Sequence, residues 1–123
     1  MTDRRRALGD FGERIAAQHL LAKGYRIRER NFRTREGEID IIAERGDLLA
    51  FVEVRCRRGA AMGTAVESLT PAKQRRLVAL AEAYAQDRED VPDERRIDVI
   101  AVDLAADGRL LALQHLEGAV WAD

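Results

Sequence analysis

Cysteine, aromatic residues and long apolar runs are all scarce in this chain of 123 residues. The single cysteine, Cys56, has no partner for an internal disulfide, which is typical of a reducing compartment. Aromatic residues make up 5% of the chain, so a platform that stacks the bases of single strands is not expected. Charged residues, at 35%, interrupt the apolar stretches and exclude a membrane span. We therefore expect a soluble, cytoplasmic protein without a cleaved leader.

Excess charge of either sign is also lacking, since the formal net charge is -1, and this value alone does not indicate a nucleic-acid-binding protein. The distribution is uneven, however. Acidic residues concentrate in 87–94, whereas arginines recur in 26–35, in 55–58 and beside Lys73. Such segregation can present one basic face to phosphate while the mean charge stays near neutral. The alternative is an ordinary solvated surface.

The length favours one domain over residues 1–123, with 1–6 as a flexible N-terminal tail. Apolar periodicity predicts an α/β protein with the order helix, three strands, helix, two strands. Between the third strand and the second helix, a segment rich in small residues predicts a loop. The predicted ranges are 7–23 and the segment after Thr70 for the helices, 25–32, 37–43, 48–55, 97–102 and 109–116 for the strands, and 57–68 for the loop.

The second helix carries positive charge where a helix does not favour it. Thr70 and Pro71 predict an N-cap and a first helical position. Lys73, Arg75 and Arg76 follow in the first turns, where they oppose the helix dipole. Because this placement costs stability, it indicates a function for the basic residues.

The second and third strands are predicted to form a hairpin around a turn at 46–47. If the turn is centred between these two residues, Asp40 lies opposite Glu53; if it shifts by one residue, Glu38 does. Either register brings two carboxylates together, and like charges opposed across strands are destabilising. The hairpin therefore predicts a positive group between them.

Two positive groups fit this position. A hard divalent cation binds carboxylate oxygens and can activate water for attack on a phosphodiester. Arg55, on the same face as Glu53, could instead neutralise the acids in a salt-bridge network. Spacing alone leaves both interpretations open.

A set of short motifs occurs in order along most of the chain. The motifs are GDFGE at 9–13, GY at 24–25, NFR at 31–33, GEIDII at 37–42, FVEVR at 51–55, KQRRL at 73–77 and RIDVIAV at 96–102. Together they resemble the YraN family, whose fold is similar to that of archaeal Holliday-junction resolvases, within the PD-(D/E)xK nuclease superfamily. The resemblance implies a restriction-endonuclease-like mixed sheet flanked by helices.

The resemblance also implies a site. Asp40 and Glu53 correspond to the metal-binding acids, Glu13 on the first helix to a further ligand, and the carbonyl of Val54 to another. The implied cofactor is Mg²⁺ or Mn²⁺, the implied partner is nucleic acid, in particular structured or branched DNA, and a homodimer is plausible. Small residues around Glu13, such as Gly12, would let its helix approach the sheet closely, whereas helical spacing alone favours an exposed Glu13.

Arg55 departs from the motif, which has lysine at this position. Arginine stays protonated, so it can stabilise charge but cannot take part in proton transfer. Three hypotheses therefore remain: a metal-dependent nuclease that uses Asp40, Glu53 and Arg55, a nucleic-acid-binding module without turnover, and an adaptor protein in which Arg55 neutralises the acids. Lys73 could reach the site and replace the missing lysine, or it could be a surface lysine.

Predicted contacts with nucleic acid lie on the basic segments. They are Arg33, Arg57, Arg58, Lys73 and Arg76, with Gln74 as a residue that positions the substrate. The two histidines, His19 and His115, lack ligand spacing or a nucleophile and are predicted to stand alone.

Overall fold

The computed structural model describes residues 4–59 and 69–120. Two helices and five strands follow in the predicted order, and the α/β class is confirmed. No helix in these two ranges is long and apolar enough to cross a membrane. The elements are α1 (Arg4–Ala22), β1 (Arg26–Thr34), β2 (Gly37–Arg45), β3 (Leu48–Arg58), α2 (Pro71–Gln86), β4 (Glu94–Leu104) and β5 (Leu110–Val120).

Several element ends differ from the predictions. Helix α1 begins at Arg4, three residues before the predicted start. Strand β3 continues to Arg58, so Arg57 and Arg58 do not belong to a loop, and the remainder of that predicted loop, at 60–68, lies outside the described residues. The cause is pairing with β4, which runs without interruption from Leu48 to Arg58. These interstrand hydrogen bonds extend the strand regardless of its local composition.

The five strands form one sheet in the order β1-β2-β3-β4-β5. All neighbours are antiparallel except β3 and β4, which are parallel, so the sheet is mixed. Parallel neighbours cannot be joined by a tight turn, and α2 lies in the crossover connection between them.

Each face of the sheet packs against one helix. Since side chains on a strand alternate between faces, Val52 packs in the core beneath α1 and Phe51 in the core beneath α2. The first core includes Ala16, Leu20, Ile41, Ile100 and Val102, and the second includes Ile42, Leu77, Leu80, Tyr84 and Val99. This arrangement makes a three-layer molecule with the sheet in the middle.

Helix α1 approaches the sheet closely at Gly12. A Cβ atom at this position would lie 2.6 Å from Cβ and 3.0 Å from Sγ of Cys56 on β3, which is closer than van der Waals contact allows. Glycine is therefore required for the observed helix position. The next residue, Glu13, is buried against the sheet, as the small residues of α1 predicted.

Candidate functional site

The candidate site lies where β2 and β3 separate. The two strands pair from Arg45 and Leu48 to Ile41 and Val52, which is the register predicted for a turn centred between residues 46 and 47. Beyond this pair, the amide of Val54 donates to Oδ2 of Asp40 at 2.8 Å. A carboxylate thus replaces the backbone acceptor that a continuing strand would offer. Asp40 is held at the opening between the strands by this bond.

The sheet is irregular on the other side of Asp40 as well. Ile39 and Ile42 both pack in the core beneath α2, although residues three apart on a regular strand face opposite sides. Asn31 on β1 lies opposite Asp40, between the pairs Arg30 with Ile41 and Phe32 with Ile39, and it adopts a φ of 56°. This left-handed conformation is uncommon outside glycine and is best tolerated by asparagine and aspartate. The sheet therefore departs from regular geometry where Asp40 lies.

Glu53 and Lys73 meet on the α2 side of Asp40. Glu53 is buried on β3, and its Oε2 atom accepts no hydrogen bond from the described residues. The nearest cation is Nζ of Lys73, 3.5 Å from that oxygen. Lys73 lies in the first turn of α2, where the hydroxyl of Thr70 accepts a bond from its backbone amide at 3.2 Å. The predicted cap of α2 thus fixes the position from which a lysine reaches the acids.

Asp40 and Glu53 line a common cavity of about 260 Å³ between the sheet and α2. Its other lining residues are Gly37, Glu38, Lys73, Arg76, Leu77 and Leu80.

Two further acids approach Asp40. One carboxylate oxygen each of Glu13, Glu38 and Asp40 lie within 4.8 Å of one another. When the amide of Asn31 is oriented to donate, its nitrogen lies 3.1 Å from an oxygen of Glu13 and 3.1 Å from an oxygen of Glu38. We call Glu13, Glu38, Asp40 and Glu53 the acidic cluster. Helix α1 contributes one of these acids, β2 contributes two and β3 contributes one.

The acidic cluster is electrostatically strained. Burial, together with hydrogen bonding and repulsion from Glu53, raises the pKa of Asp40 to about 9. Burial also raises the pKa of Glu13, against the opposing effect of Arg30, whose guanidinium lies 3.6 Å away. Raised values mean that the protein destabilises the ionised form of these carboxyls. A divalent cation reverses this preference, and hard cations favour a set of carboxylate oxygens.

Arg55 does not neutralise the acidic cluster, contrary to the adaptor hypothesis. It forms no ion pair with Asp40 or Glu53, and its buried Nε atom has no hydrogen-bond partner among residues 4–59 and 69–120. The positive groups paired with the cluster are instead Lys73 on Glu53, Arg30 on Glu13 and Arg33 on Glu38. A salt-bridge network centred on Arg55 is therefore not what the described residues form.

The structure places the predicted nucleic-acid contacts at different distances from the acids. Lys73 and Arg76 line the cavity of Asp40 and Glu53. Arg33 is exposed beside the acidic cluster and pairs with Glu38 at 2.6 Å, whereas the amide of Gln74 donates to the carbonyl of Leu69 at 3.0 Å. Gln74 thus stabilises the segment that leads into α2.

The arginines at the end of β3 have partners on and after β4. Arg57 pairs with Asp103 at 3.4 Å, and Nε of Arg58 donates to the carbonyl of Ala106 at 2.9 Å. Neither residue lines the cavity of Asp40 and Glu53. Pairing of β3 with β4, which the sequence did not predict at these positions, carries both side chains toward the β4–β5 turn.

The two histidines do not stand alone, contrary to the prediction. Nε2 of His19 lies 3.2 Å from Nδ1 of His115, and Nε2 of His115 lies 2.8 Å from Oδ2 of the fully buried Asp98. Arg96 donates twice to Asp98, at 2.7 and 2.9 Å, and the amide of Gly118 donates at 2.9 Å. The network joins α1 to β4 and β5, and every oxygen of Asp98 has partners, so it is a structural element of the sheet.

Asn31 could not be identified as a site residue from the sequence, and Lys73 was only one of two alternatives there. The NFR motif at 31–33 marked Asn31 only as part of a resemblance, and the asparagine itself was the available signal for a left-handed residue. Lys73 was left between two interpretations because the distance from α2 to β3 is a tertiary property. Its unfavourable position in the first turn of the helix was the signal that favoured a function.

The fold and the site together define an α/β protein with a cluster of carboxylates at the point where two strands of a mixed sheet separate. The chain belongs to the YraN family, whose model is described as Uncharacterised protein family UPF0102 and matches residues 12–102. It is 50% identical to a UPF0102 protein of Symbiobacterium thermophilum over 105 residues, covering 85% of this chain and 89% of the relative. Over 122 residues it is 44% identical to a UPF0102 protein of Roseiflexus castenholzii, covering 98% of each chain. A UPF0102 protein of Chloroflexus aurantiacus is 46% identical over 121 residues, covering 97% of each.

Proposed function

We propose that this protein has a restriction-endonuclease-like fold, binds Mg²⁺ or Mn²⁺ in the acidic cluster and hydrolyses phosphodiester bonds of structured or branched DNA. One observation carries the proposal. The carboxyl of Asp40 takes the place of a strand acceptor toward Val54, lies beside Glu53 and has a pKa raised to about 9. A protein maintains such crowding at a cost in stability, and perturbed carboxyls in a cavity are typical of functional sites.

The residues fit a hard divalent cation. Glu13, Glu38 and Asp40 offer carboxylate oxygens that lie within 4.8 Å of one another, and Glu53, on β3, lines the same cavity as Asp40. The described residues of the cluster bring no thiolate or imidazole, which softer metals prefer. When bound, a divalent cation would supply Lewis-acid activation of water and of the phosphate.

Lys73 supports hydrolysis because it supplies the lysine that β3 lacks. Its Nζ atom approaches Glu53 from α2, and Lys73 lines the cavity together with Asp40 and Glu53. An ammonium group on a flexible stem can orient a water toward the phosphate by hydrogen bonding and can stabilise negative charge there. Arg55 contributes a fixed positive charge on the same strand, which favours the negative charge that develops on the phosphate.

A second candidate function is DNA binding without turnover. Arg55, at the motif position of lysine, favours it because arginine cannot exchange a proton at neutral pH. In this case the acidic cluster would bind a cation for structure or for DNA affinity. The two candidates share the metal centre and the DNA, and they differ only in cleavage.

The test is cleavage of a four-way junction, a flap and a linear duplex in Mn²⁺. Wild type is expected to nick the branched substrates, and Asp40→Asn and Glu53→Gln are expected to lose this activity. Glu44→Gln is the matched control, since Glu44 also lies on β2 but pairs with Arg28 away from the cluster. Activity that survives both cluster substitutions would come from a contaminating nuclease and would contradict the proposal.

A thermal shift separates the two candidates when cleavage is absent. Stabilisation by Mn²⁺ that Asp40→Asn abolishes, together with binding of the junction but no nicking, would support the module without turnover. Two equivalent strands of a four-way junction would suit a symmetric dimer, which light scattering of the complex measures.

A further inference from the structure

A groove opens beside the cavity of Asp40 and Glu53. It has a volume of about 740 Å³ and runs between the β1–β2 turn and the outer face of α2. Gly37 and Arg76 line both the groove and the cavity, so the two spaces are neighbours. The lining residues of the groove are Thr34, Arg35, Glu36, Gly37, Ala72, Arg75, Arg76 and Ala79.

The arginines of the groove lack acidic partners. Arg35, Arg75 and Arg76 are exposed, and none forms an ion pair within residues 4–59 and 69–120. Most other arginines in these ranges form an ion pair with an acidic side chain. They are Arg26, Arg28, Arg30, Arg33, Arg57, Arg88, Arg96 and Arg109. In a chain with 22 acids to 21 bases, three unpaired arginines around one groove indicate a site for an external anion.

The position of two of these arginines on α2 supports the same conclusion. Arg75 and Arg76 follow Lys73 near the start of the helix, and the first turn contains no acid. Their charges lie just beyond the first turn, close to Lys73, and no acid in that turn compensates them. An anion in the groove would relieve the repulsion among these charges.

Gly37 leaves room for the side chain of Arg76 where the groove meets the cavity. Its φ is 146°, in a region that glycine favours, and a Cβ atom there would lie 3.0 Å from Cδ of Arg76. The stem of Arg76 therefore packs against a glycine backbone, at the place where the groove meets the cavity. A larger residue at 37 would displace it.

The lining of the groove also limits what the anion can be. It contains no aromatic side chain that could stack an unpaired base. Its only acid, Glu36, accepts a bond at 2.9 Å from the hydroxyl of Thr34. Guanidinium groups without stacking partners contact phosphates and leave the bases unread.

We infer that this groove binds the phosphodiester backbone of a DNA duplex arm and directs it to the acidic cluster, with Arg35 and Arg75 as phosphate contacts. The inference deepens the proposed function and rests on it. It places the DNA on the α2 side of the sheet. It also excludes Arg57 and Arg58, which lie toward the β4–β5 turn, from this contact surface.

The experiment compares Arg35→Ala/Arg75→Ala with Arg95→Ala/Arg109→Ala. The control removes two exposed arginines that do not line the groove. Arg76 is left intact because it also lines the cavity of the acidic cluster. Fluorescence anisotropy in EDTA would measure affinity for a labelled duplex and for a single strand of equal length, over a series of salt concentrations.

The groove variant is expected to bind duplex roughly 10- to 100-fold more weakly at 0.1 M salt, and the slope of log affinity against log salt is expected to fall by about 2. The control is expected to change affinity less than threefold, and wild type is expected to prefer duplex to single strand.

Equal losses of duplex affinity in the two double variants, or a preference of wild type for single strands, would overturn the inference that the groove binds duplex DNA. The proposed function would not be affected. Absence of DNA binding by wild type would overturn both. Thermal shift with Mn²⁺ alone, which the groove variant is expected to retain, shows whether the acidic cluster is intact.

Discussion

The ammonium nitrogen of Lys73 on α2 lies 3.5 Å from Oε2 of Glu53 on β3. That oxygen is buried and accepts no hydrogen bond from the described residues, so Lys73 is its only cationic partner among the ion pairs of those residues. Strand β3 itself carries Arg55, and no lysine, two residues after Glu53. The lysine that approaches Glu53 thus comes from a helix.

Replacing Lys73 with methionine should separate cleavage from cation binding. We expect cation-dependent nicking of DNA to fall about 100-fold, because one preorganised positive group near the phosphate is removed. Affinity for Mn²⁺ should stay the same or rise, since a competing cation leaves Glu53. Lys23→Met is the control, because Lys23 forms a comparable 3.4 Å pair with Glu117 on β5. Equal nicking by the two variants would show that Lys73 is only a surface lysine.

Asp40 should lower the stability of the metal-free protein. Because its pKa is raised to about 9, the folded protein keeps a proton that the unfolded chain releases above about pH 4. Stability from this group is fully present below pH 4 and is lost as the pH rises toward 9. Asp40→Asn removes the titration, so we expect a gain of about 1 to 3 kcal/mol in the free energy of unfolding at pH 7 in EDTA.

Glu44→Gln provides a control of opposite sign for this measurement. Burial alone would raise the pKa of Glu44, but hydrogen bonds with Arg26 and Arg28 lower it. Its loss should therefore destabilise the protein, by about 0.5 kcal/mol for a solvent-screened pair. Urea unfolding in EDTA measures both. A destabilised Asp40→Asn would mean that its carboxyl is a structural group and not a functional one.

The register of β2 and β3 is one of the two that a short turn at 46–47 allows, and the sequence left both open. In either register a second carboxylate was expected near Glu53. The small residues of α1 indicated that the helix could approach the sheet closely, although helical spacing alone favoured an exposed Glu13. These features depend on local chemistry, which a single sequence contains.

Contacts between distant segments could not be predicted in this way. His19 and His115 are 96 residues apart and meet only because α1 crosses β5, while Arg57 and Arg58 are strand residues only because β4 pairs with them. The bond from Val54 to Asp40 requires two strands to separate at one position, and the alternation rule assumes that they continue. Each of these depends on the tertiary arrangement.

Two glycines of α1 should respond in opposite ways to alanine. Gly12→Ala places a methyl group 2.6 Å from Cβ of Cys56, so we expect a loss of about 1 to 3 kcal/mol and weaker Mn²⁺ binding, because Glu13 moves with the helix. Gly9→Ala meets nothing within 4 Å and should stabilise the helix by about 1 kcal/mol. Thermal unfolding with and without Mn²⁺ measures both effects. Unchanged Mn²⁺ affinity in a destabilised Gly12→Ala would remove Glu13 from the set of ligands.

Asp98 should contribute to stability at neutral pH. Burial alone would raise the pKa of Asp98, but hydrogen bonds from His115 and Arg96 lower it to about 2. The contribution is present above the unfolded value near pH 4 and is lost as the pH falls through 2, which amounts to about 2 kcal/mol. Asp98→Asn should cost about 3 kcal/mol at pH 7 and flatten the acid limb of the stability curve. Asp103→Asn, which removes a more exposed partner of Arg57, should leave that limb nearly unchanged.

Binding of Mn²⁺ should strengthen with pH because the cation binds ionised carboxyls and Asp40 holds a proton below about pH 9. Each cation then displaces about one proton from the cluster, so the association constant is expected to rise about tenfold per unit between pH 6 and 8 and to level off near pH 9. Calorimetry in two buffers of different ionisation enthalpy counts the released proton directly, and Glu44→Gln should give the same count. A constant affinity over this range without proton release would mean that the cation does not reach Asp40. The acidic cluster would then be a site of repulsion that the fold tolerates. The proposed hydrolysis would lack the metal ion on which it depends.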